Sequence, residues 1–113
     1  MAGSQTVIEK IESKSQQLLF VNSLRKVLEL AKKEEKIISE GNSDWSISLI
    51  QNIIVPEMSA LLSYAEKKQV YFKYGKEQRL LESTYYVGDA LKPLQLTKLG
   101  KAIYKVQDII NEF

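Results

Sequence analysis

The sequence contains no cysteine and no histidine. These are the side chains that most often hold zinc, form disulfides or take part in nucleophilic catalysis, so their absence argues against all three kinds of site. Catalysis by paired carboxylates stays chemically possible, but the 14 acidic residues are spread among lysines along helix-like segments. We therefore expect a protein that is not an enzyme and that needs no metal or cofactor.

Long apolar runs are also absent. The longest, residues 47–55, is interrupted by Ser48, Gln51 and Asn52, and it is shorter than the ~20 apolar residues that span a bilayer. The apolar residues near the N-terminus are separated by charged ones, unlike the apolar segment of a signal peptide. These absences predict a cytoplasmic protein with no membrane association.

What is present is enough for one folded unit. The 113 residues are 44% hydrophobic and 27% charged, which is ordinary for a single globular domain covering residues 1–113. The net charge of +2 is too small to indicate nucleic-acid binding by itself. Residues 64–79, however, contain five basic and two acidic residues with four aromatic residues among them. This stretch is the clearest local excess of positive charge.

Apolar spacing predicts helices over most of the chain. Residues 6–40 show apolar side chains at three- and four-residue steps, with Thr6 and Glu9 fitting a capping box and Gly41 the stop. The polar pair at residues 22–23 is a candidate break. A second helix is predicted over 44–55, where Pro56 ends or kinks it, and a third over 58–74, which ends at Gly75. Trp45 is expected to be a core anchor.

After Gly75 the helical pattern weakens before it returns. Residues 84–87 are a β-prone cluster, Gly88 and Asp89 form a turn signal, and residues 94–96 alternate. Thr97 is expected to cap a last helix. The apolar face of this helix is Leu99, Ile103, Val106, Ile110 and Phe113.

The stretch from Thr84 to Ile103, TYYVGDALKPLQLTKLGKAI, resembles the end of a winged helix-turn-helix domain, as in PadR-like and HxlR-like repressors. In that family a strand, a wing loop and a second strand lead into a Leu-Thr-x-x-Gly turn that opens the last helix. The corresponding segments here are residues 84–87, 88–92, 94–96 and 96–101. The resemblance implies a mainly α, winged helix-turn-helix-like fold over residues 43–113 with a short C-terminal β-hairpin. Residues 1–42 would be a long N-terminal helix for dimerisation.

The resemblance also implies a DNA-binding surface. Residues 58–74 would be the recognition helix, after a turn at residues 55–57. Small and polar side chains would approach the bases, basic ones would contact phosphates, and a tyrosine would stack. The residues concerned are Ala60, Ser63, Lys67, Lys68, Tyr71, Lys73, Lys76 and Arg79, with Lys92 in the wing. The implied function is a homodimeric transcriptional regulator that binds duplex DNA.

An alternative interpretation is an all-α antiparallel four-helix bundle. Helices near 6–40, 44–55, 57–74 and 77–111, joined at glycine or proline, would also bury every apolar stripe. Such a protein would act through a protein partner, as an immunity, inhibitor or adaptor protein does. Residues 80–96 distinguish the two hypotheses, because two strands there support the wing and a helix through Val87 argues against it.

Overall fold

A computed structural model describes residues 6–90 and 92–113 of the chain. The fold is mainly helical with a small two-stranded antiparallel sheet, which confirms the mainly α prediction. In chain order the elements are β1 (Val7–Lys10), α1 (Lys14–Ser39), α2 (Ile47–Leu49), a π-helix (Ile50–Ile54), α3 (Val55–Ala65), β2 (Gln69–Phe72), α4 (Glu82–Ala90), a 3-10 helix (Lys92–Leu96) and α5 (Lys98–Asn111).

Helix α1 forms the centre of the fold, because it packs against both α3 and α5. Its N-cap is Ser13, whose side chain accepts a hydrogen bond from the backbone N–H of Gln16. The helix runs without a break through residues 22–23, and Gly41 follows it at φ +79°, the left-handed geometry predicted for this stop. Its buried side chains are Phe20, Val21, Ser23, Leu24, Val27 and Ala31.

The predicted helix over residues 6–40 is wrong at its N-terminal end. Residues 7–10 form β1, which pairs antiparallel with β2, and Thr6 does not cap a helix. The Thr6 hydroxyl instead donates to the backbone carbonyl of Lys73 at 3.0 Å. The short segment fits a helix or a strand by its apolar spacing, and pairing with residues about 60 positions later decided between them.

Residues 47–65 are helical throughout, although Pro56 was predicted to end or kink the helix. The five residues before α3 are a π-helix, in which the N–H of Val55 bonds to the carbonyl of Ile50, five positions earlier. A proline inside an α-helix lacks an N–H and its ring meets the carbonyl four residues back. The wider π turn relieves that conflict, and it keeps Ile50 and Ile54 fully buried.

The predicted C-terminal β-hairpin is not present. Residues 84–87 lie in α4 and residues 94–96 lie in the 3-10 helix, so both expected wing strands are helical. Tertiary packing overrides the β-propensity of this cluster, since Thr84 and Val87 are both buried. The alternative prediction of one helix over 77–111 is also wrong, because α4 begins at Glu82 and ends at Ala90, well before α5.

The start of α5 matches its prediction. The Thr97 side chain accepts a hydrogen bond from the N–H of Gly100 at 3.0 Å, which makes it the N-cap. A Cβ at Gly100 would lie 1.9 Å from the backbone oxygen of Leu94, so the chain can approach this closely only at a glycine. The predicted apolar face is buried, and Phe113 packs edge-on against Phe20. In the described residues no helix is long and apolar enough to cross a membrane.

Candidate interaction site

A cleft of about 260 Å³ opens between α3 and the segment that joins β2 to α4. We call it the interaction cleft. One wall is a single helical face that carries Asn52, Ile53, Pro56 and Ala60. The other wall comprises residues 71–74 and 78–82, and Ile110 of α5 also contributes. Apolar side chains provide most of the lining, with polar groups at the edges.

The helical wall results from spacing along the π-helix and α3. Pro56 and Ala60 lie four residues apart, so they share one face, and both are exposed. The aromatic side of the cleft is fixed by Tyr71 on β2, whose ring stacks on that of Tyr64 with centroids 4.8 Å apart and planes 4° apart. Side chains of both walls are therefore held by the surrounding fold.

Glu57 joins the two walls of the cleft. Its carboxylate accepts hydrogen bonds from the backbone N–H groups of Glu82 and Ser83, at 2.9 and 2.8 Å, and from the Ser83 hydroxyl at 2.6 Å. These N–H groups lie in the first turn of α4, where a negative charge is favourable. Glu57 is thus a cap supplied by a neighbouring helix, and it fixes the position of α4 relative to α3.

Arg79 likewise joins two parts of the fold, the segment between β2 and α4 and the end of α5. Its guanidinium donates to the carbonyl oxygens of Ile110 and Asn111, both at 3.2 Å, at the C-terminal end of α5. A cation at this end of a helix is favourable. The guanidinium also lies 5.0 Å from the centre of the Phe72 ring. Its hydrogen-bonding groups are therefore used inside the protein.

Three polar side chains form one edge of the cleft. The Glu82 carboxylate accepts hydrogen bonds from the Lys73 ammonium at 3.0 Å and from the Tyr74 hydroxyl at 3.2 Å. The hydrogen bond from Lys73 is the main reason that the pKa of Glu82 is lowered from its ordinary value. The same contact raises the pKa of Lys73. This edge carries balanced charge, so it offers no net attraction to an ion.

The predicted recognition helix over residues 58–74 is not present as one helix. It ends at Ala65, because a turn follows in which Lys68 has φ +60° and the chain then enters β2. Of the predicted DNA-contacting residues, Ala60 and Ser63 are exposed on α3, and Lys67 and Lys68 are exposed in the turn.

The remaining predicted residues lie elsewhere. Tyr71 is on β2, whereas Lys73, Lys76 and Arg79 are in the segment after it. Lys76 contacts the Glu9 carboxylate at 3.6 Å. Lys92 begins the 3-10 helix, and its side chain lies outside the described part of the structure. The structure brings Ala60, Tyr71, Lys73 and Arg79 together around the cleft, and it does not place the whole set along one helix.

No protein-family model, curated protein or solved structure matches this chain. The site must therefore be interpreted from its own geometry. Within residues 6–90 and 92–113, no three acidic side chains come together as metal ligands. The cleft instead combines an apolar surface with polar groups, among them Glu57 and Arg79, that are hydrogen-bonded within the protein. That arrangement suits recognition of another molecule by shape.

Sequence reasoning missed the acidic residues of the cleft. Glu57 follows a proline in the first turn of a helix, a common place for a carboxylate, but its partners lie 25 and 26 positions later in the chain. Glu82 lies in the stretch after Gly75 where the helical pattern of the sequence is weak. No local pattern indicates that Glu57 caps the helix that begins at Glu82, since the contact depends on how α3 and α4 pack.

Proposed function

We propose that this chain is a non-enzymatic protein-interaction module, of the kind represented by immunity, inhibitor or adaptor proteins. It binds a segment of a partner protein in the interaction cleft. The observation that carries the proposal is the cleft itself, a mainly apolar concavity whose two walls are tied together by Glu57, while Arg79 connects one wall to α5. Concave, largely preformed apolar surfaces of this kind are where ligands bind in proteins.

The lining of the cleft favours an apolar anchor from the partner. Ile53 and Pro56 face Tyr71 across the opening, and Leu80 beside them is 45% exposed. Burying one large apolar side chain against such a surface is worth roughly 1.5–3 kcal/mol. A cleft with fixed walls loses little conformational freedom on binding, which preserves that gain. We therefore expect a peptide segment with an exposed leucine, methionine or aromatic residue as its anchor.

DNA binding at the surface formed by residues 60–79 stays a prediction with less support than the sequence suggested. Three of its expected phosphate contacts already have partners within the protein: Lys73 has Glu82, Lys76 has Glu9, and Arg79 has carbonyl oxygens. The wing hairpin expected beside it is helical. A phosphate would have to displace these partners before it could be bound.

Dimerisation through residues 6–40 also stays a prediction. The apolar stripe that would form the shared seam is buried within the chain, where it packs against α3 and α5. Other side chains of α1 would have to meet a second copy. Leu18, Leu19 and Ile37 are the exposed large apolar residues of this helix.

Peptides selected from a random display library for binding to the native chain test the proposal. Their affinity is then measured for two variants of the chain that each carry a new tryptophan. Ala60→Trp places an indole in the cleft. Ser63→Trp places the same indole on an exposed position of α3 that does not line the cleft. We expect the selected peptides to carry a large apolar residue and to lose at least tenfold in affinity for Ala60→Trp. Their affinity for Ser63→Trp should stay within about twofold, since one buried anchor is worth more than a factor of ten.

The competing outcomes are distinct. Peptides that bind both variants as well as the native chain would place recognition outside the cleft. A library that yields no enriched peptide would contradict the proposal. Both variants should keep the far-ultraviolet circular dichroism of the native chain, because neither position is buried.

A further inference from the structure

A second surface of the molecule, on the side of α1 and α5, carries a concentration of positive charge. We call it the lysine face. On α5, Lys98, Lys101 and Lys105 recur at steps of three and four residues, so they form one exposed stripe. On α1, Lys26 and Lys33 form a second stripe. The two stripes adjoin, because Lys26 and Lys105 line the same shallow depression between the helices.

The charge on this face is not neutralised locally. Among the residues whose side chains the structure describes, which leaves out Asp89 to Lys92, no carboxylate lies within ion-pair distance of the three α5 lysines. On α1, Glu29 lies between Lys26 and Lys33 and contacts both, at 3.6 and 3.8 Å. Asp108 and Glu112 continue the α5 stripe, and with Glu29 they leave a net charge of +2 on the face, equal to that of the whole chain.

The position of these lysines is unfavourable for α5 itself. Lys98 and Lys101 lie in the first turns of the helix, where the backbone dipole presents partial positive charge and acidic residues are preferred. The first turn of α5 has no acidic residue. Helix stability therefore does not account for the arrangement, whereas attraction of an anion does.

We propose that the lysine face binds the sugar-phosphate backbone of duplex nucleic acid without sequence preference. Lysine binds phosphate as a point charge and needs no fixed geometry. Protein interfaces are usually depleted of lysine and enriched in aromatic residues and arginine. The lysine face has neither an aromatic residue nor an arginine, so phosphate fits it better than an acidic protein surface does. This proposal is independent of the interaction cleft.

The dimensions of the face fit a run of phosphates. Seven residues separate Lys98 from Lys105, which is about 10 Å along the helix axis. Phosphates of one strand of B-DNA advance 3.4 Å each along the duplex axis, so the α5 stripe spans about three of them. The floor between the stripes consists of Asn22, Ser23 and Ala102, with Leu19 at its edge. Its small side chains let a backbone approach Lys26 and Lys105.

The test is the affinity of the full chain for a fluorescent 20-base-pair duplex of random sequence, measured between 20 and 200 mM salt. Three neutralised phosphates predict a slope of about −2.7 in log K against log salt concentration. The variant Lys98→Gln, Lys101→Gln, Lys105→Gln should bind at least tenfold more weakly at 20 mM salt. Its slope should fall in magnitude by about 0.9 for each phosphate contact that is lost.

A matched variant controls for net charge. Lys10→Gln, Lys14→Gln, Lys32→Gln removes the same three charges from exposed positions of β1 and α1 that belong neither to the lysine face nor to the surface of residues 60–79. It should bind within about twofold of the native chain. Equal losses in the two triple variants would overturn the proposal, because the effect would then be one of overall charge. The absence of binding by the native chain at 20 mM salt would also overturn it.

Competition with a 20-residue polyglutamate peptide distinguishes binding of nucleic-acid phosphates from binding of protein carboxylates. If the peptide displaces the duplex at equal charge concentration, the face recognises carboxylates of a protein partner and the nucleic-acid proposal is wrong. The cleft variant Leu80→Ala should leave duplex binding unchanged, since Leu80 lies neither on the lysine face nor among residues 60–79. A failure of the cleft proposal would therefore be distinguishable from a failure of this one.

Discussion

Single polar side chains join distant parts of this molecule. Glu57 of α3 caps α4, and Arg79 contacts the last carbonyls of α5. The Gln107 side chain of α5 accepts from the N–H of Leu81 at 2.8 Å and donates to the carbonyl of Arg79 at 2.9 Å. Gln107 is buried, and leaving its amide unpaired would cost about 1–3 kcal/mol. The segment between β2 and α4 is held in place largely by these three residues.

Glu57→Gln should destabilise the protein by about 1.5–3 kcal/mol, the usual cost of losing a hydrogen bond to a charged group. The amide keeps the shape of the side chain, but its NH₂ group cannot accept, and the negative charge at the start of α4 is lost. Urea unfolding followed by circular dichroism measures the change. Glu77→Gln, at an exposed position, should change the free energy of unfolding by less than about 0.5 kcal/mol. A similar loss in both variants would contradict the capping role.

The pair of Lys73 and Glu82 predicts a dependence of stability on pH. The pKa of Glu82 is lowered in the folded protein, chiefly by the hydrogen bond from Lys73. Its stabilising contribution is therefore complete above the unfolded pKa of a glutamate, about 4.3, and is lost as the pH falls through the lower folded value. Stability of the native chain relative to Glu82→Gln should be greatest near pH 6–7 and should decrease as the pH falls below about 4.3.

The effect should be small and sensitive to salt, because both side chains are substantially exposed. A stability difference that does not change between pH 3 and 7 would contradict this assignment. At alkaline pH the Lys73 contribution, whose folded pKa is raised, should persist until the pH rises above the ordinary lysine value of 10.5.

At the scale of elements, the start of α5 and the π-helix before α3 each depend on a single residue, Gly100 and Pro56. The first is the start of α5, where the backbone of Leu94 occupies the space that a Cβ of residue 100 would need. Gly100→Ala should destabilise the protein by about 3 kcal/mol, since a backbone atom cannot rotate away as a side chain does. Thermal unfolding provides the measurement.

Gly88→Ala is the matched control for this substitution. A Cβ at residue 88 would meet the terminal hydroxyl of Tyr104 at 3.0 Å and the side-chain nitrogen of Gln95 at 4.0 Å, and both side chains can move. Both glycines lie in helices, so each gains about 1 kcal/mol of intrinsic helix propensity on change to alanine. If Gly100→Ala is as stable as Gly88→Ala, the close approach to Leu94 is not a constraint on the fold.

The second position is the π-helix before α3. A π turn accommodates one residue more than an α turn, so deleting the exposed Asn52 should return Ile50–Ile54 to α geometry while Ile54 stays buried. The Pro56 ring would then meet a carbonyl, and the deletion alone should cost about 3 kcal/mol. Adding Pro56→Ala should recover most of that loss. Equal costs of the deletion with and without proline would show that Pro56 does not maintain the π turn.

At the scale of the whole molecule, one core includes side chains from nearly every element. Trp45, the single tryptophan, is 4% exposed and lies in the loop between α1 and α2, where its backbone N–H bonds to the Ser43 hydroxyl. We expect its fluorescence and the helical circular dichroism to change at the same urea concentration, as they do when a small domain unfolds in one step. Separate midpoints would divide the chain into more than one unit.

The helices that are strongly amphipathic could be predicted from the sequence. Thr97 as a cap, Gly41 as a left-handed stop and Gly100 as a close approach all follow from short patterns with a local physical cause. Residues 84–87 could not be assigned in this way. Their side chains favour a strand locally. In α4 they bury Thr84 and Val87, and the free energy of that burial comes from the rest of the fold.

The candidate site was predictable only in part. Residues 60–79 were identified as the region of interest, and several of them line the interaction cleft. Their roles were not predictable, because a lysine in a sequence is a charge whose partner is unknown. Lys73 and Lys76 meet Glu82 and Glu9 only after β1 pairs with β2 and α4 packs beside them.

The sequence by itself determined that α1 and α5 are helices and where the apolar face of each lies, since these depend on residues within a few positions of one another. The absence of cysteine and histidine likewise excluded thiolate and imidazole chemistry without any structure. The tertiary structure alone decided that residues 7–10 are a strand, that Glu57 caps α4, and that Lys73 and Lys76 pair with Glu82 and Glu9. Each of these depends on contacts between residues far apart in the chain, and local propensity carries no information about them.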